Sequence, residues 1–212
     1  MIRLVKGIEP EILATNKGSW LRDLNTEMDT GLTVNKAPSS KKYNQPTVKN
    51  SLMAESNGKC IYCESKIKHV DHGEIEHIKP KSKYPQEIFT WENMGFVCAI
   101  CNNKKNDRYD PSIPIINPYI EGPSDYLVVV GAAFFARPGS DRAQITIETV
   151  ELNRVELVER RNDRIKQLHT LLEKANRLPE TLKKAVWDEI RAFVSESSEY
   201  SAATNAFLNA FS

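Results

Sequence analysis

The apolar residues in the first part of the chain recur at helical spacing. A loose apolar stripe follows Pro10 within residues 1–29 and predicts a helix, because proline can occupy a first helical position. A shorter helix is predicted over residues 47–56, where the Asn57-Gly58 pair supplies a stop. Residues 30–46 are polar and contain glycine, proline and serine, which predicts a loop between the two helices.

Helical spacing returns in the last part of the chain. Residues 153–156, Asn-Arg-Val-Glu, predict a capping box that opens a long helix. Pro179 ends that pattern, and two further helices are predicted after it. The apolar positions of the three helices are, in order, Leu157, Val158, Ile165, Leu168 and Leu172, then Leu182, Val186, Ile190 and Phe193, then Phe207, Leu208 and Phe211.

Strand-like patterns lie between the helical ends. Leu127–Val130 and Phe134-Phe135 predict two strands that turn around Gly131. Residues 144–150 are β-branched and alternating, and they predict another strand. The pattern as a whole indicates an α+β protein in three segments: an N-terminal helical segment (1–57), a core (58–112), and a β-hairpin with a C-terminal helical region (113–212).

Composition gives little further information about function. The 212 residues carry a formal net charge of +1, so overall charge does not indicate a nucleic-acid-binding protein. Lysines are nevertheless concentrated at Lys79, Lys81 and Lys83 and again at Lys104 and Lys105, although such clusters are more often solvated surface. We found no signal-peptide core and no apolar run long enough for a bilayer, which predicts a cytoplasmic protein.

The four cysteines form two Cys-x-x-Cys pairs, Cys60/Cys63 and Cys98/Cys101. Four thiolates make a closed tetrahedral site for structural Zn²⁺, and this set predicts one. Unrelated buried thiols or a redox pair are the alternatives. Because 34 residues separate Cys63 from Cys98, a further structure must fold inside the gap.

The residues inside and just after that gap suit metal-dependent phosphodiester hydrolysis. Neutral His77 could accept a proton from water, while Glu76 offers a hard oxygen ligand for Mg²⁺ or Mn²⁺. Asn102, near the start of a helix, could complete the metal shell. Asn93 could accept a proton from the second His77 nitrogen or tie down the loop, and Lys105 could reach a phosphate.

These motifs resemble the HNH, or ββα-metal, endonucleases. The resemblance rests on Cys60-x-x-Cys63, Glu76-His77-x-x-Pro80, Asn93 and Cys98-x-x-Cys101-Asn102-x-x-Lys105. It implies a zinc-stapled ββα-metal nuclease core embedded in a mainly helical protein. It also implies that His77 is the general base, that Glu76 and Asn102 hold the catalytic metal, and that Asn93 is the middle asparagine. The family often has histidine where this chain has Asn102.

The wider motif Glu76–Pro85, with Trp91-x-Asn93 and Leu152-Asn153-Arg154, is similar to the PtuB nucleases of Septu-type anti-phage systems. That resemblance implies a PtuA-like ATPase partner and a defence role against phage DNA. Lys79, Lys81 and Lys105 are the candidate DNA contacts. Two alternatives stay open: a stand-alone restriction or mobile-element nuclease, and a non-catalytic zinc-bound nucleic-acid-binding adaptor. His69 and His72 are interpreted as exposed turn positions.

Overall fold

Two short β-hairpins lie among seven α-helices in the part of the chain that the computed structural model describes, residues 1–68 and 71–211. Before the second hairpin the elements are α1 (Glu11–Asp29), α2 (Pro46–Glu55), β1 (Glu74–His77), β2 (Met94–Val97) and α3 (Ala99–Lys105). After them come β3 (Leu127–Val130), β4 (Ala133–Ala136), α4 (Asp141–Thr149), α5 (Val155–Arg177), α6 (Glu180–Phe193) and α7 (Ser201–Phe211). No helix in the described residues is long and apolar enough to cross a membrane.

Strands β1 and β2 pair antiparallel, and α3 follows β2 directly, which makes a ββα unit. The register places Glu76 opposite Gly95 and His77 opposite Met94. The Cys98 thiol caps α3 by accepting a hydrogen bond from the Cys101 backbone N–H at 3.5 Å. His77 is the last residue of β1, so the strand ends where its side chain can turn toward the same cavity as its neighbour.

A single core cluster joins the ββα unit to both ends of the chain. Its fully buried members include Leu24 of α1, Leu52 of α2, Phe96 of β2 and Leu152 before α5. A smaller cluster lies between α5 and α6, around Leu168, Leu172, Val186 and Ile190. The hairpin therefore packs against helices that flank it on both sides in sequence.

Lys6 fastens the N-terminal stretch onto β2. Its ammonium donates to the Met94 carbonyl at 2.8 Å and to Glu55 at 3.1 Å, and it lies 3.9 Å from the Trp91 ring centroid. Trp91 is 2% exposed and donates its indole N–H to the Gly7 carbonyl at 2.8 Å. The indole that makes this contact is buried, so residues before α1 form part of the scaffold beneath the hairpin.

Most predicted elements are confirmed, but the strand predicted over residues 144–150 is wrong. That segment belongs to helix α4, which begins where the Ser140 hydroxyl accepts a hydrogen bond from the Ala143 N–H. The buried positions Ala143, Thr146, Ile147 and Val150 follow helical spacing. The β-branched side chains thus pack as one helical face, and tertiary burial overrides their strand propensity.

The capping box predicted at the start of α5 is also absent from the described contacts of that segment. The Asn153 side chain instead binds Phe134 of β4, accepting from its N–H at 2.8 Å and donating to its carbonyl at 2.7 Å. Helix α5 still begins at Val155, without a side-chain cap. Asn153 therefore anchors the second hairpin to the helical region.

We predict that Gly73→Ala destabilises the protein more than Gly139→Ala. Both glycines have positive φ, +66° and +79°, so each substitution costs about 1–2 kcal/mol in backbone strain. A Cβ at residue 73 would lie 2.4 Å from the buried Phe96 ring, whereas nothing lies within 4 Å at residue 139. The overlap should lower the free energy of unfolding of Gly73→Ala by a further ~1–3 kcal/mol, measured by urea unfolding. Equal losses in the two variants would contradict this packing.

Candidate active site and thiol cluster

The four cysteines meet in a single cluster. They are free thiols, and their sulfur atoms all lie within 4.8 Å of one another. The Sγ atoms of Cys63 and Cys98 are 3.9 Å apart, whereas tetrahedral zinc with bonds of about 2.3 Å requires about 3.8 Å between sulfurs. The cluster can therefore hold one metal ion such as zinc.

Two polar side chains contact the sulfurs from outside the cluster. The Ser65 hydroxyl lies 3.3 Å from the Cys63 Sγ, and the Arg154 Nη1 donates to the Cys101 Sγ at 3.7 Å. Four thiolates around a divalent ion carry two net negative charges, so the neighbouring guanidinium offsets part of that charge. The N-cap residue of α5 thereby contacts the cluster.

Three of the four predicted catalytic residues line one cavity of about 390 Å³. Glu76 and His77 enter it from the end of β1, and Asn102 enters it from α3. Tyr43 and Asn35 approach from the segment between α1 and α2. The structure thus brings Glu76, His77 and Asn102 together in one neighbourhood.

His77 is held as a neutral imidazole with a defined proton position. Its Nε2 lies 2.9 Å from the Ile88 carbonyl, which can only accept, so Nε2 carries the proton and Nδ1 keeps a lone pair. Burial, with the Lys81 and Lys105 ammonium groups, lowers the pKa of His77 to about 4. The ring is therefore uncharged near neutral pH, with its lone pair at Nδ1.

Glu76 is 3% exposed and forms a buried ion pair. Its Oε1 lies 2.6 Å from the Lys105 ammonium and accepts a hydrogen bond from the Tyr62 hydroxyl at 3.5 Å. Burial raises the pKa of Glu76 to about 7, against the opposing effects of Lys105 and Tyr62. Because both contacts use Oε1, Oε2 is the oxygen available to a cation.

A hydrogen bond from Asn102 orients its amide. The Nδ2 donates to Glu74 Oε2 at 2.5 Å, which leaves Oδ1 as the free acceptor of that side chain. Carboxylate and amide oxygens are ligands that Mg²⁺ and Mn²⁺ accept. Glu76 and Asn102 thus bring to this cavity donor atoms that suit a hard divalent cation.

Asn93 ties down the loop that follows β1. Its Oδ1 accepts from the Lys79 N–H at 2.8 Å, and its Nδ2 donates to the carbonyls of Lys79 at 3.1 Å and Glu87 at 3.3 Å. The backbone carbonyl of Ile88, and not Asn93, accepts the His77 proton. The sequence left two roles open for Asn93, accepting the His77 proton or holding the loop. These contacts correspond to holding the loop.

The three lysines predicted to contact DNA occupy different environments. Lys81 lines the cavity, whereas Lys79 lies outside its lining and pairs with Glu87 at 2.8 Å. Lys105 is 0% exposed, with its ammonium on Glu76 and on the His77 carbonyl at 2.9 Å. The expectation that Lys105 reaches a phosphate is therefore wrong, because its ammonium is buried and already paired with Glu76.

Residues 60–108, which contain the thiol cluster, the hairpin and α3, match the HNH endonuclease family. The chain contains an HNH endonuclease domain. The matched segment includes Glu76, His77, Asn93 and Asn102, but it excludes Tyr43 and Arg154. The remainder of the chain supplies contacts to the HNH domain from both sides in sequence.

Three curated proteins share longer stretches with the chain. Septu protein PtuB of Bacillus thuringiensis is 31% identical over 116 residues, 54% of this chain and 44% of that protein. Septu protein PtuB of Bacillus mycoides (strain KBAB4) is 26% identical over 194 residues, 76% and 66% respectively. The HNH protein of retron Vc95 from Vibrio cholerae serotype O1 biovar El Tor is 31% identical over 126 residues, 53% and 60%. The chain thus spans 44% to 66% of the length of these relatives.

Three contributors to the HNH site were not identified from the sequence. Glu74 lies two positions before Glu76 on the same strand face, and that spacing could have identified it. No spacing rule connects Tyr43 or the Ile88 carbonyl with His77, since loop geometry alone brings them together. His72 is exposed, as expected, and His69 lies outside the described residues.

We predict that Lys105→Met lowers the free energy of unfolding by about 3–5 kcal/mol, because it leaves the Glu76 carboxylate buried without a partner. Lys104→Met removes an adjacent lysine whose pair with Glu151 is 43% and 40% exposed, and it should cost less than about 1 kcal/mol. Urea unfolding in zinc-containing buffer without Mg²⁺ measures both. Adding Glu76→Gln to Lys105→Met should restore part of the loss. Equal costs for the two lysines would contradict the buried pair.

Proposed function

We propose that the chain is a metal-dependent HNH endonuclease that hydrolyses DNA phosphodiester bonds. The observation that supports this most directly is the placement of an uncharged His77 imidazole in the same cavity as the Glu76 carboxylate and the Asn102 amide. Hydrolysis needs a base for water and a cation for the developing charge on the phosphate. The cavity offers groups suited to both tasks.

In the proposed reaction, Nδ1 of His77 accepts the proton of the attacking water. The hydrogen bond to Ile88 keeps Nε2 protonated and holds the ring in one tautomer. The Asn93 contacts to Lys79 and Glu87 hold the loop that carries the Ile88 carbonyl. Asn93 therefore serves catalysis by positioning the loop behind the base.

Glu76 Oε2 and Asn102 Oδ1 are the groups that we propose hold Mg²⁺ or Mn²⁺. The bound ion would stabilise negative charge on the phosphate and on the leaving oxygen. Lys105 keeps the Glu76 carboxylate in place, and Glu74 keeps the Asn102 amide oriented. Lys81 is the lysine of the cavity that would meet the DNA phosphates, and Lys79 would contact DNA only outside the cavity.

We propose Zn²⁺ as the ion of the thiol cluster, in a structural role. Four cysteine thiolates leave no open coordination position for substrate. The cluster fastens the start of α3, at Cys98 and Cys101, to the segment with Cys60 and Cys63. It would thereby fix Asn102 relative to the hairpin without taking part in the reaction.

The relatives named as Septu proteins support a role in anti-phage defence. We propose that the chain is the nuclease subunit of a Septu-like complex, with a PtuA-like ATPase as partner in the cytoplasm. A formal net charge of +1 suits a nuclease that obtains part of its DNA affinity from a partner. A stand-alone nuclease and a zinc-bound adaptor without catalysis are the outcomes that the cleavage experiment separates.

We expect about one Zn²⁺ per chain, because the four thiolates form one tetrahedral site. Elemental analysis of the purified protein measures this directly. A chelator should remove the ion and lower the unfolding temperature, and Zn²⁺ but not Mg²⁺ should restore it. Protein that refolds in the presence of zinc, with reduced cysteines and no bound zinc, would contradict the structural role.

We predict that the protein nicks plasmid DNA only with Mg²⁺ or Mn²⁺, and that His77→Ala and Glu76→Ala each slow cutting by about 10²–10⁴-fold. The exposed His72→Ala should cut like the wild type. Zinc content and circular dichroism confirm that each variant folds. The assay includes the protein alone and with a co-expressed ATPase, since the partner can be required. Wild-type cutting by His77→Ala would refute the assigned base.

A further inference from the structure

Tyr43 reaches the cavity from outside the residues that match the HNH family. Its ring centroid lies 4.5 Å from that of His77, with the two planes at 88°. Tyr43 belongs to the segment between α1 and α2, which the sequence predicted only as a loop. This perpendicular ring contact makes the phenol a wall of the His77 pocket.

That segment is fixed before any substrate arrives. Ser39 binds Glu27 of α1 twice, through its N–H at 3.0 Å and its hydroxyl at 2.7 Å. Val34 and Ala37 are buried beneath it, and Lys42 pairs with Asp23 at 2.6 Å. Tyr43 is therefore presented to the cavity by an anchored backbone, so a contact through its hydroxyl would cost little ordering entropy.

Lys81 lies beside Tyr43 and lacks an acidic partner among the described residues. Its ammonium is 3.5 Å from the Tyr43 hydroxyl oxygen and 5.4 Å from the ring centroid. Burial, together with the nearby Lys41 ammonium, lowers the pKa of Lys81. A half-buried cation that is repelled by a neighbouring cation is stabilised by an anion in the cavity.

The Tyr43 phenol is a hydrogen-bond donor at neutral pH. Burial, with the Glu76 and Glu74 carboxylates, raises the pKa of Tyr43, so its hydroxyl keeps its proton. A phenol O–H and an ammonium 3.5 Å apart can both donate to a single oxygen placed between them. Phosphate oxygens in a nucleic-acid backbone are acceptors of this kind.

We propose that Tyr43 and Lys81 together bind one non-bridging phosphate oxygen of the DNA strand beside the bond that is cut. This inference rests on the proposed nuclease function and adds a substrate-binding residue from the N-terminal segment. The Tyr43 hydroxyl supplies a neutral donor, whereas Lys81 supplies charge. Their contributions to binding can therefore be told apart by salt dependence.

The test is the affinity of a fluorescent DNA duplex, measured by anisotropy at several salt concentrations with Ca²⁺ replacing Mg²⁺. Tyr43→Phe should weaken binding about tenfold and leave the salt slope unchanged, because it removes a neutral donor to a charged acceptor. Lys81→Met should weaken binding and reduce the slope of log K against log [salt] by about 0.9. The double variant should lose less DNA affinity than the product of the two single-variant losses, since the two side chains bind the same phosphate oxygen.

Tyr84→Phe is the matched control. Tyr84 also has a lysine near its ring, Lys79 at 5.7 Å, but it lies outside the cavity lining. The Tyr84→Phe variant should bind DNA like the wild type. Zinc content and the unfolding temperature of Tyr43→Phe should match the wild type, because the ring that contacts His77 is retained.

Each outcome decides between the two proposals. Unchanged DNA affinity of Tyr43→Phe overturns the phosphate site, as does a loss confined to the cutting rate, which would mean that Tyr43 acts only through His77. If the duplex binds with the predicted losses but is never cut with Mg²⁺ or Mn²⁺, the phosphate site stands and the nuclease proposal fails. Wild-type protein that neither binds nor cuts DNA, alone and with the co-expressed ATPase, overturns both.

Discussion

A carboxylate that is almost completely buried cannot stay ionised without a cation beside it, and the HNH site is built around that constraint. Glu76 is 3% exposed, and Lys105 brings its ammonium to within 2.6 Å from the last residue of α3. The same ammonium donates to the His77 carbonyl. The Lys105 ammonium thus fixes both Glu76 and His77 at the end of β1. Its loss would leave the Glu76 charge uncompensated in the core.

The position of α3 determines whether Lys105 can make these contacts. Cys98 and Cys101 begin the helix, and Asn102 and Lys105 follow one and four positions after Cys101. Residues four apart lie on one side of a helix, so a metal ion at Cys101 constrains the whole turn that faces the hairpin. Arg154 adds a contact from α5 to the same cysteine. The C-terminal helices therefore support the site through the thiol cluster.

The sequence predicted those parts of the structure that depend on short spacing. The two Cys-x-x-Cys pairs, the adjacent Glu76 and His77, and a helix starting near Cys101 are local patterns, and the structure brings these residues to one unit. Lys105 was misread because spacing shows which side of a helix a residue lies on, but not whether solvent or a carboxylate lies there. Residues 144–150 were misread because burial against the core, and not strand propensity, decides their conformation.

The charge balance in the cavity bears on whether the metal ion or the DNA binds first. Its lining includes the acidic residues Glu76 and Asp107, with Glu74 just behind Asn102, against Lys81 as the lining cation. Because Lys105 is already paired with Glu76, the cavity without a divalent ion offers little net attraction to a phosphate. An ion at Glu76 and Asn102 would reverse that balance, and the Tyr43–Lys81 pair would then meet a phosphate already attracted to the cavity. On the proposed function, metal loading therefore precedes productive DNA binding.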